Sequence, residues 1–153
     1  AISGSDFIAR IQSEIPHRNP QEIETAWNAI ILDFPDGRLN TLLRIKDRFP
    51  CYLLSNTNEI HLKSFNGLLL FKHGYSNLEP FFNQLYLSHL IKLRKPNYEA
   101  FNLILEEHKL QPEKVLFVDD SPQHIESAKE LGIQAYHLWG KQTLEELFAP
   151  VLA

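Results

Sequence analysis

Two acidic residues stand side by side at Asp119-Asp120, directly after the apolar run Val115-Leu116-Phe117-Val118. Adjacent carboxylates at the end of a buried strand repel, and burial penalises both charges. A divalent cation resolves that conflict. Mg2+ prefers oxygen ligands, often one or two carboxylates plus waters and substrate phosphate. Taken alone, the pair equally fits a capping Asp and a surface Asp at the opening of the next helix. A second polar cluster, Ser55-Asn56-Thr57-Asn58, follows Cys51-Tyr52-Leu53-Leu54. A hydroxyl and backbone N–H groups at a strand-to-helix turn can hold phosphate oxygens. An ordinary helix N-cap at Asn56 or Asn58 explains the same residues. The third feature is Lys95, just before Pro96 at a helix entry. Its ammonium could reach across the strand ends, or it could be solvated, as most lysines are.

These groups act together only if the elements beneath them bring them together. The first third reads as helices. "SDFIARIQSEI" sets Phe7, Ile8, Ile11 and Ile15 on one face. "NPQEIETAWNAIIL" has Asn19 as N-cap, Pro20 at the first helical position and Glu22 completing a capping box, with Ile23, Trp27, Ile30 and Ile31 at helical spacing up to "FPDG". "RLNTLLRIKDRF" makes a third helix with Leu39, Leu42 and Leu43 inward. From Cys51 the rhythm changes. "CYLL" is a buried strand, "NEIHLKSF" a helix, "NGLLLFKHGYSN" a loop, and "NLEPFFNQL" holds a short helix. "YLS" is a short strand and "KPNYEAFNLILEEHKL" a strong helix. "KVLFVDD" is a strand, "SPQHIESAKELG" a helix closed by Gly132, "QAYHL" a strand and "TLEELF" a last helical piece. Strands alternating with helices imply an α/β fold with a parallel sheet and helices on both faces. Ligands in such sheets bind at the carboxyl ends of the strands, where Ser55-Asn56 and Asp119-Asp120 both fall.

The bulk numbers narrow the function classes. At 153 residues the chain is one domain's worth, and a net charge of -4 gives no case for nucleic-acid or membrane-surface binding. One cysteine, Cys51, excludes an internal disulfide framework and fits a reducing compartment. No run approaches the ~20 apolar residues of a membrane span. No basic-then-apolar leader opens the sequence, so a cytoplasmic location is expected. The chain contains no Met, which raises the expectation that the gene product starts upstream. No His-x-His or His-Glu-x-x-His pattern points to zinc.

In order and spacing, "LLSNTN", "YLSHLIKLRKPNYEAF" and "VLFVDDSPQHIESAKELGIQAYHL" resemble the later three motifs of the haloacid dehalogenase superfamily, most closely its helical-cap phosphatase branch, including sugar-phosphate phosphatases. The likeness runs from about residue 48 to 148. It implies a three-layer, Rossmann-like parallel sheet and Mg2+-dependent hydrolysis of a small phosphorylated metabolite through an aspartyl phosphate. By resemblance Ser55 bonds the phosphoryl group, Lys95 neutralises phosphate and nucleophile, and Asp120 binds Mg2+. Asp119 orients Lys95 or a metal-bound water. Asn56 contributes its backbone N–H and Asn58 touches the substrate side. True dehalogenases of the superfamily resemble Ser-Ser-Asn where this chain has Asp-Asp, so phosphate-ester chemistry is implied. One departure is His124, where relatives often carry Asn; it is expected on the helix surface.

The superfamily's first motif, an Asp-x-Asp at the end of the first strand that supplies the nucleophile, is not found upstream of Ser55. Asp6 opens a helix, and Asp33 and Asp36 follow one. Residues 1–35 are therefore expected to be part of a helical cap, and residues 36–153 a core lacking its first strand. A segment of the same protein is expected to complete the sheet between strands 51–54 and 115–118, and residues 1–153 alone are expected to be inactive. The alternative is a non-catalytic relative that binds phosphate or a partner.

Overall fold

A computed structural model describes residues 2–153. Helix α1 (Gly4–Glu14) starts at Ser3, whose Oγ accepts the Asp6 N–H. Helix α2 (Pro20–Asn28) carries the full reciprocal capping box between Asn19 and Glu22. It ends earlier than the periodicity suggests. The β-branched Ile30-Ile31 pair, poor at continuing a helix, lies beyond its end, and Ile30 is 74% exposed rather than inward. Trp27 packs on Phe7 and stacks on His61 while keeping one edge in solvent. Helix α3 (Asp36–Lys46) follows, with Leu39 buried.

Strand β1 (Tyr52–Ser55) leads into α4 (Glu59–His73). The stretch expected as a loop after residue 66 instead continues this helix. Leu69, fully buried against Leu39 and Phe81, supplies the tertiary contact that outweighs the cost of Gly67. The helix stops at Gly74, whose φ of 77° is the left-handed turn that favours glycine. A 3-10 turn (Glu79–Phe81) precedes β2 (Gln84–Leu87) and the single turn α5 (Ser88–Ile91). Then come α6 (Tyr98–Glu107), a 3-10 turn (Pro112–Lys114), β3 (Leu116–Asp119), α7 (Pro122–Glu130), β4 (Gln134–His137) and α8 (Leu144–Leu152).

All pairing is parallel. In β1–β2, Leu54 is opposite Tyr86 and Ser55 opposite Leu87; in β3–β4, Val118 is opposite Tyr136 and Asp119 opposite His137. Alternation along the strands divides the core in two. Leu54 and Tyr86 face Ala100 and Phe101 of α6 and Ala128 of α7. Leu53 and Leu85 face the opposite layer, against Leu39 of α3 and Leu69 of α4. Helices therefore cover both faces of parallel strands, the α/β layering expected. Away from this core, Ile8 and Ile23 of α1 and α2 meet Ile60 of α4 in a separate small cluster.

The strands form two separate two-stranded sheets, β1–β2 and β3–β4, and β1 and β3 are not hydrogen-bonded to each other. Between them lies a cavity of about 1150 Å³, lined along one side by Tyr52, Leu53, Leu54 and Ser55 and along the other by Leu116, Phe117, Val118 and Asp119. No strand among residues 2–153 occupies it. Among the described residues no helix is long and apolar enough to cross a membrane.

Candidate active site at the strand ends

Three chain segments converge at the carboxyl ends of β1 and β3. Ser55, Lys95, Asp119 and Asp120 all line the same cavity mouth. At its centre the Lys95 Nζ donates to Asp119 Oδ2 at 2.7 Å. Both side chains are withdrawn from water, 9% and 8% exposed, and the Lys95 ammonium also lies 5.5 Å from the Phe117 ring centre. Lys95 is thus not a solvated lysine. Burial works against the Asp119 charge, but the hydrogen bond and charge of Lys95, the Ser121 N–H and His124 together hold its carboxyl below the usual range.

Each partner of this pair is fixed by a neighbour. The Asn56 side chain grips the main chain of Lys95 at two points. Its Nδ2 donates to the Lys95 carbonyl at 2.8 Å, and its Oδ1 accepts the Lys95 N–H at 2.9 Å. The side chain is therefore spent on Lys95, and what Asn56 can offer a ligand is its backbone N–H. Asp119 Oδ1 accepts the Ser121 N–H at 2.9 Å and bonds His124 Nδ1 at 2.9 Å. His124 was expected on the helix surface. Its side chain is only 15% exposed, because the first turn of α7 packs directly over the strand end. The clue in the sequence was its place, five residues after Asp119 in a helix that begins at Pro122.

The remaining polar residues divide between ligand-ready and structural positions. No side-chain bond holds the Ser55 hydroxyl among the described residues. Asn58 is the N-cap of α4, its Oδ1 accepting the His61 N–H. That commits one of its two polar atoms to the helix. Ser88 bonds both the N–H and the carbonyl of Thr57, a contact that sequence inspection did not anticipate.

Asp120 is the exception. It is exposed, and its carboxylate has no donor or cation partner among the described residues; only its backbone oxygen is engaged, by His137 Nε2 at 3.0 Å. An unpaired carboxylate beside a buried Asp–Lys pair offers a hard oxygen ligand at this strand end, where Lys95 is engaged by Asp119 and does not neutralise Asp120. That donor chemistry fits Mg2+. Among the described residues no three His, Cys, Asp or Glu side chains converge, so a cation here draws its other oxygens from water, phosphate or another segment.

Comparison with known proteins places the chain among its relatives. The haloacid dehalogenase-like hydrolase family profile matches residues 74–137. The chain is 29% identical over 116 residues to a D-ribitol-5-phosphate phosphatase of Bacteroides thetaiotaomicron, covering 76% of this chain and 56% of that protein. It is 36% identical over 58 residues to a phosphorylated carbohydrates phosphatase of Thermotoga maritima, covering 38% and 27%. The chain thus spans about half the length, or less, of these relatives. Among solved structures, an HAD family enzyme of Bacteroides thetaiotaomicron superposes with a TM-score of 0.88 at 31% identity, covering 96% of this chain and 73% of that one. That crystal is of an aspartate-to-alanine variant in complex with magnesium and inorganic phosphate. On the profile match and this likeness across nearly the whole chain, the chain belongs to the haloacid dehalogenase (HAD)-like hydrolase family.

Proposed function

We propose that this chain is part of a Mg2+-dependent phosphatase acting on a small phosphorylated carbohydrate or similar phosphometabolite. The observation that carries the reading is the buried Lys95–Asp119 pair beside the uncompensated Asp120 carboxylate, at strand ends that also present Ser55. The phosphatase names of the curated relatives support the substrate class. The magnesium and phosphate complex of the structural neighbour supports the cofactor.

In this reading Ser55 Oγ and the Asn56 N–H hold phosphoryl oxygens, and Lys95 balances their charge. Asp119 keeps the ammonium aimed. Asp120 holds Mg2+, with Asn58 toward the substrate side. Bound Mg2+ supplies Lewis-acid stabilisation of the phosphoryl oxygens. The nucleophile is a carboxylate on a strand that seats between β1 and β3, contributed by a segment outside residues 1–153. Its oxygen bonds to phosphorus as the ester P–O bond breaks. The leaving oxygen takes the electron pair and a proton from a second acid on that same segment; water then bonds to phosphorus as the carboxylate–phosphorus bond breaks, giving phosphate and the free carboxylate. Residues 1–35 belong to a helical cap and residues 36–153 to the catalytic core.

The test compares residues 1–153 alone with a gene product that includes upstream sequence, using p-nitrophenyl phosphate and sugar phosphates with Mg2+. The shorter chain is expected to be inactive and the longer one active. Turnover by residues 1–153 that disappears in Asp120→Asn would refute the assignment of the nucleophile. Phosphate binding without turnover in the longer product would instead identify a non-catalytic binder.

A further inference from the structure

Asp119 and Asp120 are neighbours of identical chemistry at one strand end, yet the structure treats them oppositely. A carboxylate has about four acceptor positions on its two oxygens. Asp119 uses three of them. Oδ2 takes Lys95 Nζ at 2.7 Å, and Oδ1 takes the Ser121 N–H and His124 Nδ1, each at 2.9 Å. The carboxylate is 8% exposed. Asp120 uses none of its positions on protein donors among the described residues, and it is open to the cavity mouth. Ser121 and Lys95 engage Asp119 through a backbone N–H and a flexible ammonium. His124 alone supplies a rigid ring, fixed by α7, whose plane sets which way Oδ1 points.

We propose that His124 is a positioning residue that keeps Asp119 out of the cation's coordination shell, so that this strand end offers the metal Asp120 alone and leaves Asp119 to Lys95. The inference rests on the functional reading above. The chemistry follows from the donor count. An ionised Asp119 can bond Nδ1 only if that nitrogen carries the proton, so the ring is a donor there and its Nε2 faces away from the carboxylate. Removal of the ring frees half of Oδ1. Asp119 then swings between two positive partners, the ammonium and the cation. The cation gains a ligand while Lys95 loses its fixed counter-charge. Asn at position 124 would keep an N–H donor on the same helical turn and preserve the arrangement; Leu would not.

The experiment uses the gene product that includes the complementing segment, with His124→Leu, His124→Asn and Asp120→Asn. Mg2+ affinity is read by calorimetry, and kcat and KM are read separately. In His124→Leu, Mg2+ binding is expected to tighten severalfold while kcat falls by about tenfold or more, the scale typical of groups that orient metal-site residues. KM should stay nearly unchanged, and His124→Asn should restore both quantities. The proposal is overturned if His124→Leu leaves affinity and kcat within about twofold of the parent, or if His124→Asn behaves like His124→Leu. Should His124→Leu not fold, ring ¹⁵N shifts of the unaltered protein decide instead: a proton on Nδ1 supports the proposal, and a bare Nδ1 ends it. Asp120→Asn separates the two levels. If that variant still binds Mg2+ normally, the metal assignment itself has failed, whatever His124 does.

Discussion

Cutting the Lys95–Asp119 ion pair from either side should reveal how deeply it is built into the fold. Lys95→Met removes the ammonium but keeps an apolar stem beside Phe117. The Asp119 carboxylate, 8% exposed, then retains two donors, the Ser121 N–H and His124. Asp119→Leu removes the acceptor and leaves an ammonium 9% exposed whose one side-chain hydrogen-bond partner among the described residues was that carboxylate. Breaking a buried pair from one side costs ~3–5 kcal/mol, because the surviving charge is stranded. The two remaining donors put Lys95→Met at the lower end of that range and Asp119→Leu at the upper. Domain stabilities are ~5–15 kcal/mol, so either loss should move a urea midpoint plainly. The double variant, which buries no charge, should cost less than the sum of the singles, with a coupling energy of ~1–3 kcal/mol. The assay is equilibrium urea unfolding with the slope held common. Single losses below ~1 kcal/mol that simply add would be the behaviour of a solvent-exposed pair. They would refute the claim that this pair is buried and pre-organised.

Three further outcomes are expected. In the active gene product, Lys95→Ala and Asp120→Asn should each remove ~2.7–4 kcal/mol of transition-state stabilisation, read as a fall in kcat, with Asp120→Asn also raising the Mg2+ requirement; near-normal kcat at saturating metal would discard the assigned role. Asn56→Ala strands the N–H and carbonyl of Lys95, so it should cost ~1–3 kcal/mol in unfolding experiments and lower kcat more than it changes KM, while unchanged stability would show that the two-point grip contributes nothing. The folded Asp119 pKa lies below its ordinary 3.8, because Lys95, Ser121 and His124 outweigh the opposing effect of burial. Its contribution to stability is therefore fully present above the unfolded value of about 3.9 and is lost as pH falls through the lower folded value. Urea midpoints measured across that acid range should decline less steeply in Asp119→Asn; an unchanged slope would contradict the shift.

Much of this was legible because the signals were local. The reciprocal cap of Asn19 and Glu22 needs only three residues of context, and the apolar run at Tyr52-Leu53-Leu54 needs hardly more. The strand ends could be read from composition, since an apolar run stopping on Ser-Asn or Asp-Asp marks where burial ends. Where contacts are remote, sequence reading failed. Helix α4 outruns its expected end because Leu69 is buried by Leu39 and Phe81, residues brought in by other elements. Ile30 loses its helical place because α2 stops at Asn28. The fine structure of the site was equally hidden. The side chain of Asn56 bonds a residue 39 positions away, a role that nothing local reveals. His124 was read as a surface residue because nothing local says that α7 lies over Asp119. Spacing tells which groups reach one strand end; it does not tell which of them hold each other.

The grip of Asn56 on Lys95 has a consequence for how this protein can change. Together with the bonds between Ser88 and Thr57, it ties the chain to itself at the neck of an excursion that runs out through α4 and returns through β2 and α5. Beyond the neck, β2 is paired to β1, and Leu69, Phe81 and Tyr86 are buried in the core, so what is free is the outer surface of the excursion. Lengthening such a loop costs little, since closure entropy grows only slowly with length. The distance between the turn after β1 and the lysine is fastened at the neck by the Asn56 side chain. Substitutions and insertions outside it, including along the exposed Leu70 and Phe71 surface, can accumulate without moving the ammonium. The molecule thus separates an outer surface free to drift from a packed and tied base that must hold still.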